Sequence, residues 1–396
     1  MAAVPAPIET QSRPGTFLAL FAFGVLFVLI AFAAFLYFEH NGHVVTGMDN
    51  QIVWGIPHVF AVFLIVAASG ALNVASIGSV FGKPAYKARA PLSGLLALAM
   101  MAGGLVVLAA DLGRPDRLVI AMTHFNFKSI FALNMMFYSG FFALVAAYLV
   151  TLMSRNLNHY AKIIGFLAFF WRLALTTATG SIFGFLIARN AYGSALMAPM
   201  FIIYSFAYGL AAFLIVQGAM YAWNGLTLDA RVFARMKNLL AVFVGAALYF
   251  TAVMHLTSLY FAKQAAYEHF LLLDGGMYTT AFWLGQVIVG GILPLVLIFA
   301  PGANQTRIII ASVLVVLGGL AQMFVTIVGG QVFPLDIFPG YAVSSSFQDG
   351  VMNPYAPVAG EFALGFGGIA VAFLITVVAV RVLPFLPQDD FAALKD

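Results

Sequence analysis

Residues 91–115 read PLSGLLALAMMAGGLVVLAADLGRP, in which an uncharged apolar run ends at an acid, a turn and a base. The run from Pro91 to Ala110 is long enough to cross the hydrocarbon core of a bilayer as an α-helix. Charge beside hydrocarbon is costly, so the motif Asp111-Leu112-Gly113-Arg114-Pro115 marks a functional position by default. This stretch therefore predicts a membrane-spanning helix with a polar site at its mouth.

The composition of the whole chain extends that prediction. Of 396 residues, 63% are hydrophobic and 8% charged, and the mean hydropathy is +1.02. These values predict an all-α integral membrane protein and exclude a soluble core of this length. The chain has no Cys, so a cysteine-bound iron–sulfur cluster would have to belong to a partner. The net charge of +4 is modest, and no nucleic-acid partner is predicted.

Ten apolar segments are long enough to span a membrane. Their predicted bounds are roughly Thr16–Phe38, Ile52–Phe81, Pro91–Ala110, Ser129–Met153, Ala161–Ala188, Leu196–Trp223, Asn238–Ala262, Met277–Ala300, Arg307–Val332 and Val358–Pro384. The sequence AVFLIV at Ala61–Val66 resembles AAFLIV at Ala211–Val216. Two parallel four-helix bundles would explain this echo, and chance similarity between apolar sequences explains it equally well.

The predicted domain organisation is a single polytopic membrane domain, 1–396. A first span (16–38) precedes one four-helix unit, 52–188, and a second unit covers 196–332. A loop at 333–357, a last span at 358–384 and a tail at 385–396 complete the domain.

Lys and Arg cluster in the connections 81–91 and 223–238, which places these loops in the cytoplasm by the positive-inside rule. Both termini are then cytoplasmic, and the protein lies in the cytoplasmic (inner) membrane of a bacterium or archaeon. The opposite, periplasmic connections are acidic. Among them the long segment 332–357 is either a docking surface or an ordinary solvated loop.

His58 and Asp111 lie at matching depths on consecutive antiparallel spans, near the periplasmic interface. A histidine beside a carboxylate is a suitable pair for quinone chemistry, because each quinone carbonyl gains one proton per electron on reduction. The alternative is structural: His58 bonds a backbone carbonyl and Asp111 pairs with Arg114 or caps the turn. The residues alone do not choose between these two roles.

Further polar side chains lie near this pair. Arg114 follows Gly113 and would either favour a negatively charged bound quinone or hold the turn through an ion pair with Asp111. Asn134 and Tyr138 lie one turn apart on the next span. Helix packing is the favoured role for most such residues, and quinone binding is the alternative.

Three other polar residues carry open alternatives. Arg172 lies near the bilayer midplane, where it would stabilise an anion or be neutralised by neighbouring carbonyls. His255 and Glu361, each near the periplasmic end of a span, are equally ambiguous. Only His58 and His255 of the seven histidines lie well inside spans, which would allow at most one bis-histidine haem, and we predict none.

Three motifs carry a family resemblance: Trp54-Gly55-Ile56-Pro57-His58 opening a span, Asp111-Leu112-Gly113-Arg114-Pro115 closing the next, and Phe125-Asn126-Phe127-Lys128-Ser129 opening the fourth. Together they resemble the NrfD family of polysulfide-reductase (PsrC) membrane subunits. The ten spans and the Tyr355-to-Glu361 element are most similar to its longer branch, which includes HybB and DsrP.

The resemblance implies a quinone-binding subunit of a respiratory oxidoreductase complex, rather than a stand-alone enzyme. Menaquinone or ubiquinone would react at His58 and Asp111, with Arg114 nearby, and a periplasmic ferredoxin-like iron–sulfur subunit would exchange the electrons. The resemblance implies no haem or iron–sulfur cluster in this chain. The competing hypothesis is a ten-helix transporter or channel that uses Arg172 for an anionic substrate; co-purification of redox partners discriminates between the two.

Overall fold

Ten long apolar helices make up most of the fold. The computed structural model describes residues 7–10, 14–226, 229–335, 338, 341 and 350–387. In this part of the chain, ten helices are long and apolar enough to span a membrane. They are α1 (Pro14–Asn41), α2 (Ile56–Ser79), α3 (Ala90–Ala110), α4 (Ile130–Met153), α5 (Asn158–Gly184), α6 (Met197–Trp223), α7 (Ala230–Tyr260), α8 (Met277–Phe299), α9 (Gln305–Val332) and α10 (Ala359–Val382). The all-α fold and the number of spans are thus confirmed.

Two helix starts differ from the predicted ones for local reasons. The second span begins at Ile56 rather than Ile52, because Pro57 favours the first helical turn and the preceding chain stays extended. The seventh span begins earlier than predicted, at Ala230. There the Asp229 carboxylate accepts hydrogen bonds from backbone N–H groups of the first turn and caps the helix.

α2 is the central helix, and α1 lies at the edge. Within the most apolar window of α2, 89% of the residues are buried, against 6% for α1. α2 packs on α3, α6 and α10, whereas α1 packs mainly on α10. α2 and α6 cross at Gly70 and Gly209, where a Cβ added to Gly70 would lie 1.5 Å from the Ser205 carbonyl oxygen. Only glycine permits this close approach between helices.

The connections lie on two faces of the helix assembly. We call the His58 face the one that carries the loops 42–55, 111–129, 185–196 and 261–276, and the other the opposite face. The backbone of Ile8 pairs with that of Leu386 at the opposite face, so the segments flanking α1 and α10 meet there. Residues 336–337, 339–340 and 342–349 of the predicted docking loop, and 388–396 of the predicted tail, lie outside the described residues.

Helices adjacent in sequence pack as pairs: α2 on α3, α4 on α5, α6 on α7 and α8 on α9. Extensive contacts also join α2 to α6 and α5 to α6. The grouping into units 52–188 and 196–332 stays a prediction.

Candidate functional site

The ends of α2 and α3 bring His58 and Asp111 together. His58 lies in the first turn of α2, and Asp111 is the residue at which α3 ends. Nδ1 of His58 contacts Oδ2 of Asp111. The side chain of His58 is 15% exposed and that of Asp111 only 1%, so a ligand meets the imidazole first. Oδ1 of Asp111 is buried without a hydrogen-bond partner among the described residues, and such an orphan needs a functional explanation.

Aromatic rings surround the imidazole. The Trp54 ring centroid lies 6.1 Å from that of His58, 6.0 Å from Phe131 and 5.9 Å from Phe183. Phe131 is exposed and Phe183 buried, so the aromatic group runs from the protein surface into the helix assembly. Such flat, polarisable walls favour a planar conjugated ligand.

A side chain from α9 holds the chain that leads into α2. Oε1 of Gln331 accepts hydrogen bonds from the backbone N–H groups of Val53 (3.0 Å) and Trp54 (3.2 Å). Its Nε2 donates to the Trp54 carbonyl at 2.9 Å. Arg189 adds hydrogen bonds to the carbonyls of Gln331 and Gln51. The position of His58 therefore depends on residues distant in sequence.

A second clasp comes from α10. The Tyr355 hydroxyl accepts from the backbone N–H of Ile56 at 2.8 Å and donates to Oε1 of Glu361 at 2.5 Å. Oε2 of Glu361 accepts from the N–H groups of Gly47 and Val358. Burial, the hydrogen bond to Glu361 and the charges of Glu361 and Asp111 raise the pKa of Tyr355 well above its usual range. Glu361 is thus a structural residue that fixes the start of α2.

Arg114 points away from the pair. Its Nε and Nη2 donate to the two carboxylate oxygens of Asp116, each at 3.0 Å, and its side chain is 64% exposed. The predicted alternative of an Asp111–Arg114 ion pair is wrong, because the Leu112-Gly113 turn directs Arg114 outward while Asp111 faces inward. Hydrogen bonding from Arg114 lowers the pKa of Asp116.

Asn134 and Tyr138 lie in the interface between α4 and α5. The Asn134 amide donates to the Ala178 carbonyl at 3.1 Å and accepts from the Thr179 hydroxyl at 3.2 Å. Tyr138 is buried and its hydroxyl interacts with Thr179. These contacts correspond to helix packing, one of the two predicted roles.

The mid-membrane arginine is enclosed by protein. Arg172 is 1% exposed, and its guanidinium carbon lies 4.9 Å and 5.3 Å from the ring centroids of Phe169 and Phe206. One Nη donates weakly to the Ser69 carbonyl, at 3.5 Å. Aromatic faces and a carbonyl thus surround the cation.

A second histidine–carboxylate pair lies at the same face. Nδ1 of His255, near the end of α7, lies 2.7 Å from Oε2 of Glu268 in the short helix Ala262–His269. His255 was recognisable in the sequence as a polar residue inside a span, whereas Glu268 resembled the other loop acids. The apolar run Phe270–Leu273 that follows Glu268 was the available signal, since it indicates that this connection turns back into the protein.

Ten spanning helices with buried polar pairs at one face define a multi-pass membrane protein. Residues 44–335 match the family model described as Polysulphide reductase, NrfD. The chain belongs to this family, as the motifs predicted, and lies in the inner membrane.

Curated relatives match over nearly the whole chain. The Hdr-like menaquinol oxidoreductase integral membrane subunit of Archaeoglobus fulgidus is 27% identical, with 96% of this chain and 97% of the relative covered. A Halobacterium salinarum protein assigned as a dimethyl sulfoxide reductase membrane subunit is also 27% identical, with 91% and 89% covered. A selenate reductase subunit of Mesobacillus selenatarsenatis is 22% identical, with 87% and 88% covered.

Proposed function

We propose that this chain is the quinone-reacting membrane subunit of a respiratory oxidoreductase complex. The observation that carries the proposal is the contact of a partly exposed His58 with a buried Asp111 whose second carboxylate oxygen lacks a partner among the described residues. The family and the menaquinol oxidoreductase relative support the same chemistry.

The residues present fit a quinone head group. The exposed edge of His58 offers hydrogen bonding to a ring carbonyl or hydroxyl, and Trp54 and Phe131 offer aromatic surface to the planar ring. A quinol, when bound, supplies two electrons and two protons. Asn134 and Tyr138 act through the packing of α4 on α5 and not as ligands of the head group.

His58 and Asp111 form a proton relay. His58 accepts a proton at Nε2 and passes the Nδ1 proton to Oδ2 of Asp111, so the imidazole ends neutral. The reverse sequence delivers a proton during quinone reduction. Because Asp111 is buried behind His58, it acts through the imidazole, and the clasps on Trp54 and Ile56 keep the two side chains aligned.

The electrons pass to an iron–sulfur cluster in a ferredoxin-like partner, because this chain has no cysteine to hold one. That partner docks on the His58 face, within tunnelling reach of the site. We assign this face to the periplasm, since the opposite face carries the basic loops 81–91 and 223–238.

The test is reduction of the clusters in the purified native complex by a menaquinol analogue, followed optically. We expect Asp111→Asn to abolish reduction in an assembled complex. Asp274→Asn is the matched control, since Asp274 also pairs with a histidine at this face but is 68% exposed. A ubiquinol analogue run in parallel tests which quinone is used.

Normal reduction in both Asp111→Asn and His58→Ala would move the site elsewhere, to the His255 pair first. If no iron–sulfur partner co-purifies and no quinol reacts, the redox function fails and the transporter hypothesis replaces it.

A further inference from the structure

The His255–Glu268 pair borders a cavity among α6, α7, α8 and α9. Glu268 is 1% exposed and its partner His255 12%. The His255 cavity is lined by His255 and by the polar side chains of Tyr204, Gln286, Gln322 and Thr326, and it has room for about one water molecule. It is too small for a quinone head group, so its natural occupant is water.

A neighbouring cavity continues this space toward the membrane centre. The Tyr208 cavity shares Tyr204, Gln286 and Gln322 with the His255 cavity and adds Thr251 and Tyr208. Oε1 of Gln286 and Oε1 of Gln322 are buried, and neither has a hydrogen-bond partner among the described residues. Buried amide oxygens are normally bonded, and internal water is the usual partner when protein supplies none.

Hydrogen bonds link the remaining polar groups around the two cavities. The Tyr204 hydroxyl lies 2.7 Å from that of Thr251, and Nε2 of Gln286 donates to Thr251 at 3.4 Å. Nε2 of Gln322 donates to the Thr326 hydroxyl at 2.9 Å. With water at the orphan oxygens, this set becomes continuous from the His255 pair to the middle of the helix assembly.

The backbone around the cavities departs from the α-helix at three places. Wider turns, with hydrogen bonds from residue i to i+5, occupy Phe270–Asp274, Ala281–Ile292 and Val325–Gly329. The first follows Glu268, the second contains Gln286 and the third contains Thr326. Such turns are rare and are often found at functional sites. Their convergence on one cavity points to a built site.

An apolar layer ends the polar region. Below the Tyr208 cavity, the next turns of α6, α7 and α9 present Leu210, Leu240 and Ala311, all fully buried. Beyond them a separate small cavity surrounds Gln217, toward the opposite face. The polar region therefore reaches the membrane centre from the His58 face without crossing it.

We propose that α6–α9 contain an internally hydrated proton-binding site, in which water in the His255 and Tyr208 cavities connects the protonatable His255–Glu268 pair to Gln286 and Gln322. The ligands are water and a proton. The site is separate from the His58–Asp111 pair, and the proposal does not rest on quinone reactivity.

Few other titratable groups face the pair. Tyr192, Tyr204 and Tyr267 line the cavity. His269 and Asp274 pair with each other at 2.9 Å and are exposed, and Lys263 on the same short helix is exposed. Burial and the neighbouring Glu268 raise the pKa of Tyr267 well above its usual range, so it remains a neutral hydroxyl.

Hydroxyl-radical labelling of the intact complex, read by mass spectrometry, tests the water. Radicals formed from trapped water modify adjacent side chains even when these are buried. We expect Met200 and Met254, which are 2% and 7% exposed, to be labelled at least about tenfold faster than Met101 and Met236, which are fully buried in the apolar core. Gln322→Leu, which removes an orphan oxygen, should lower the labelling of Met200 several-fold. Labelling of Met200 and Met254 as slow as that of Met101 would overturn the proposal.

Infrared difference spectra recorded across a pH titration of the same complex, without quinol, test the proton. We expect a carboxyl band that disappears in Glu268→Gln and persists in Asp274→Asn, the exposed His–carboxylate control. Wild-type spectra that are unchanged by Glu268→Gln would show that the pair exchanges no proton and would overturn the proposal. Neither measurement involves Asp111, so failure here is distinguishable from failure of the proposed quinone site.

Discussion

The two histidine–carboxylate pairs at the His58 face share their chemistry but not their surroundings. Both place a carboxylate that is 1% exposed behind a histidine that is 12–15% exposed. His58 meets the aromatic rings of Trp54 and Phe131, whereas His255 borders a cavity with unpaired amide oxygens. The comparison teaches that the surroundings, not the pair itself, select a planar ligand at one site and water at the other.

The largest expected effect tests whether only the first pair reacts with quinol. General acid–base groups contribute about 100- to 10,000-fold, so His58→Gln should lower the rate of quinol-driven cluster reduction by about 100-fold or more. His255→Gln, the matched change at the second pair, should cause a much smaller fall. Stopped-flow optical spectra of the purified complexes measure both rates. The reverse order would exchange the roles that we assign to the two pairs.

The next effect tests the link between the regions. Gln331→Ala removes the α9 side chain that bonds the backbone of Val53 and Trp54, leaving buried donors unpaired. We expect a loss of stability of about 2–3 kcal/mol and slower quinol oxidation. Thermal denaturation and the cluster assay measure these. Gln305→Ala, at the other end of α9, is the control; equal losses in both variants would show that Gln331 does not position His58.

A smaller effect tests the clasp from α10. Tyr355→Phe keeps the ring and removes the hydroxyl between Ile56 and Glu361, which should cost about 1–2 kcal/mol. Because folding raises the pKa of Tyr355, its contribution is fully present below about pH 10 and is lost as the pH rises further. Melting temperatures measured across alkaline pH should therefore fall less steeply in Tyr355→Phe than in wild type. Parallel curves would contradict this interpretation.

The smallest effect concerns the exposed ion pair. Arg114→Ala removes two hydrogen bonds to Asp116 at the surface, where solvent screens them. We expect no change in melting temperature or in assembly of the complex, measured by thermal denaturation and size-exclusion chromatography. Slower cluster reduction at an unchanged melting temperature would make Arg114 a contact of the quinone.

Much of the fold was predictable because membrane insertion leaves a strong pattern. An apolar run of about 20 residues has few alternatives to a spanning helix, so the ten spans were predicted, with errors at capped or proline-containing starts such as Ala230 and Ile56. The pairing of His58 with Asp111 followed from their equal depth on neighbouring antiparallel helices. Glu268 was not recognised, because a loop acid gives no sign of burial until the connection folds back.

The sequence by itself determined the membrane class, the number of spans, the family and the first histidine–carboxylate pair. These depend on hydrophobicity and on motifs read along one chain. Only the tertiary structure decided that Arg114 pairs with Asp116, that Gln331 and Tyr355 hold the start of α2, and that Glu268 meets His255 beside unpaired amides. Those contacts join residues from helices whose relative rotation is set by packing, such as the close crossing at Gly70, and apolar sequence carries little record of which face of a helix meets which neighbour.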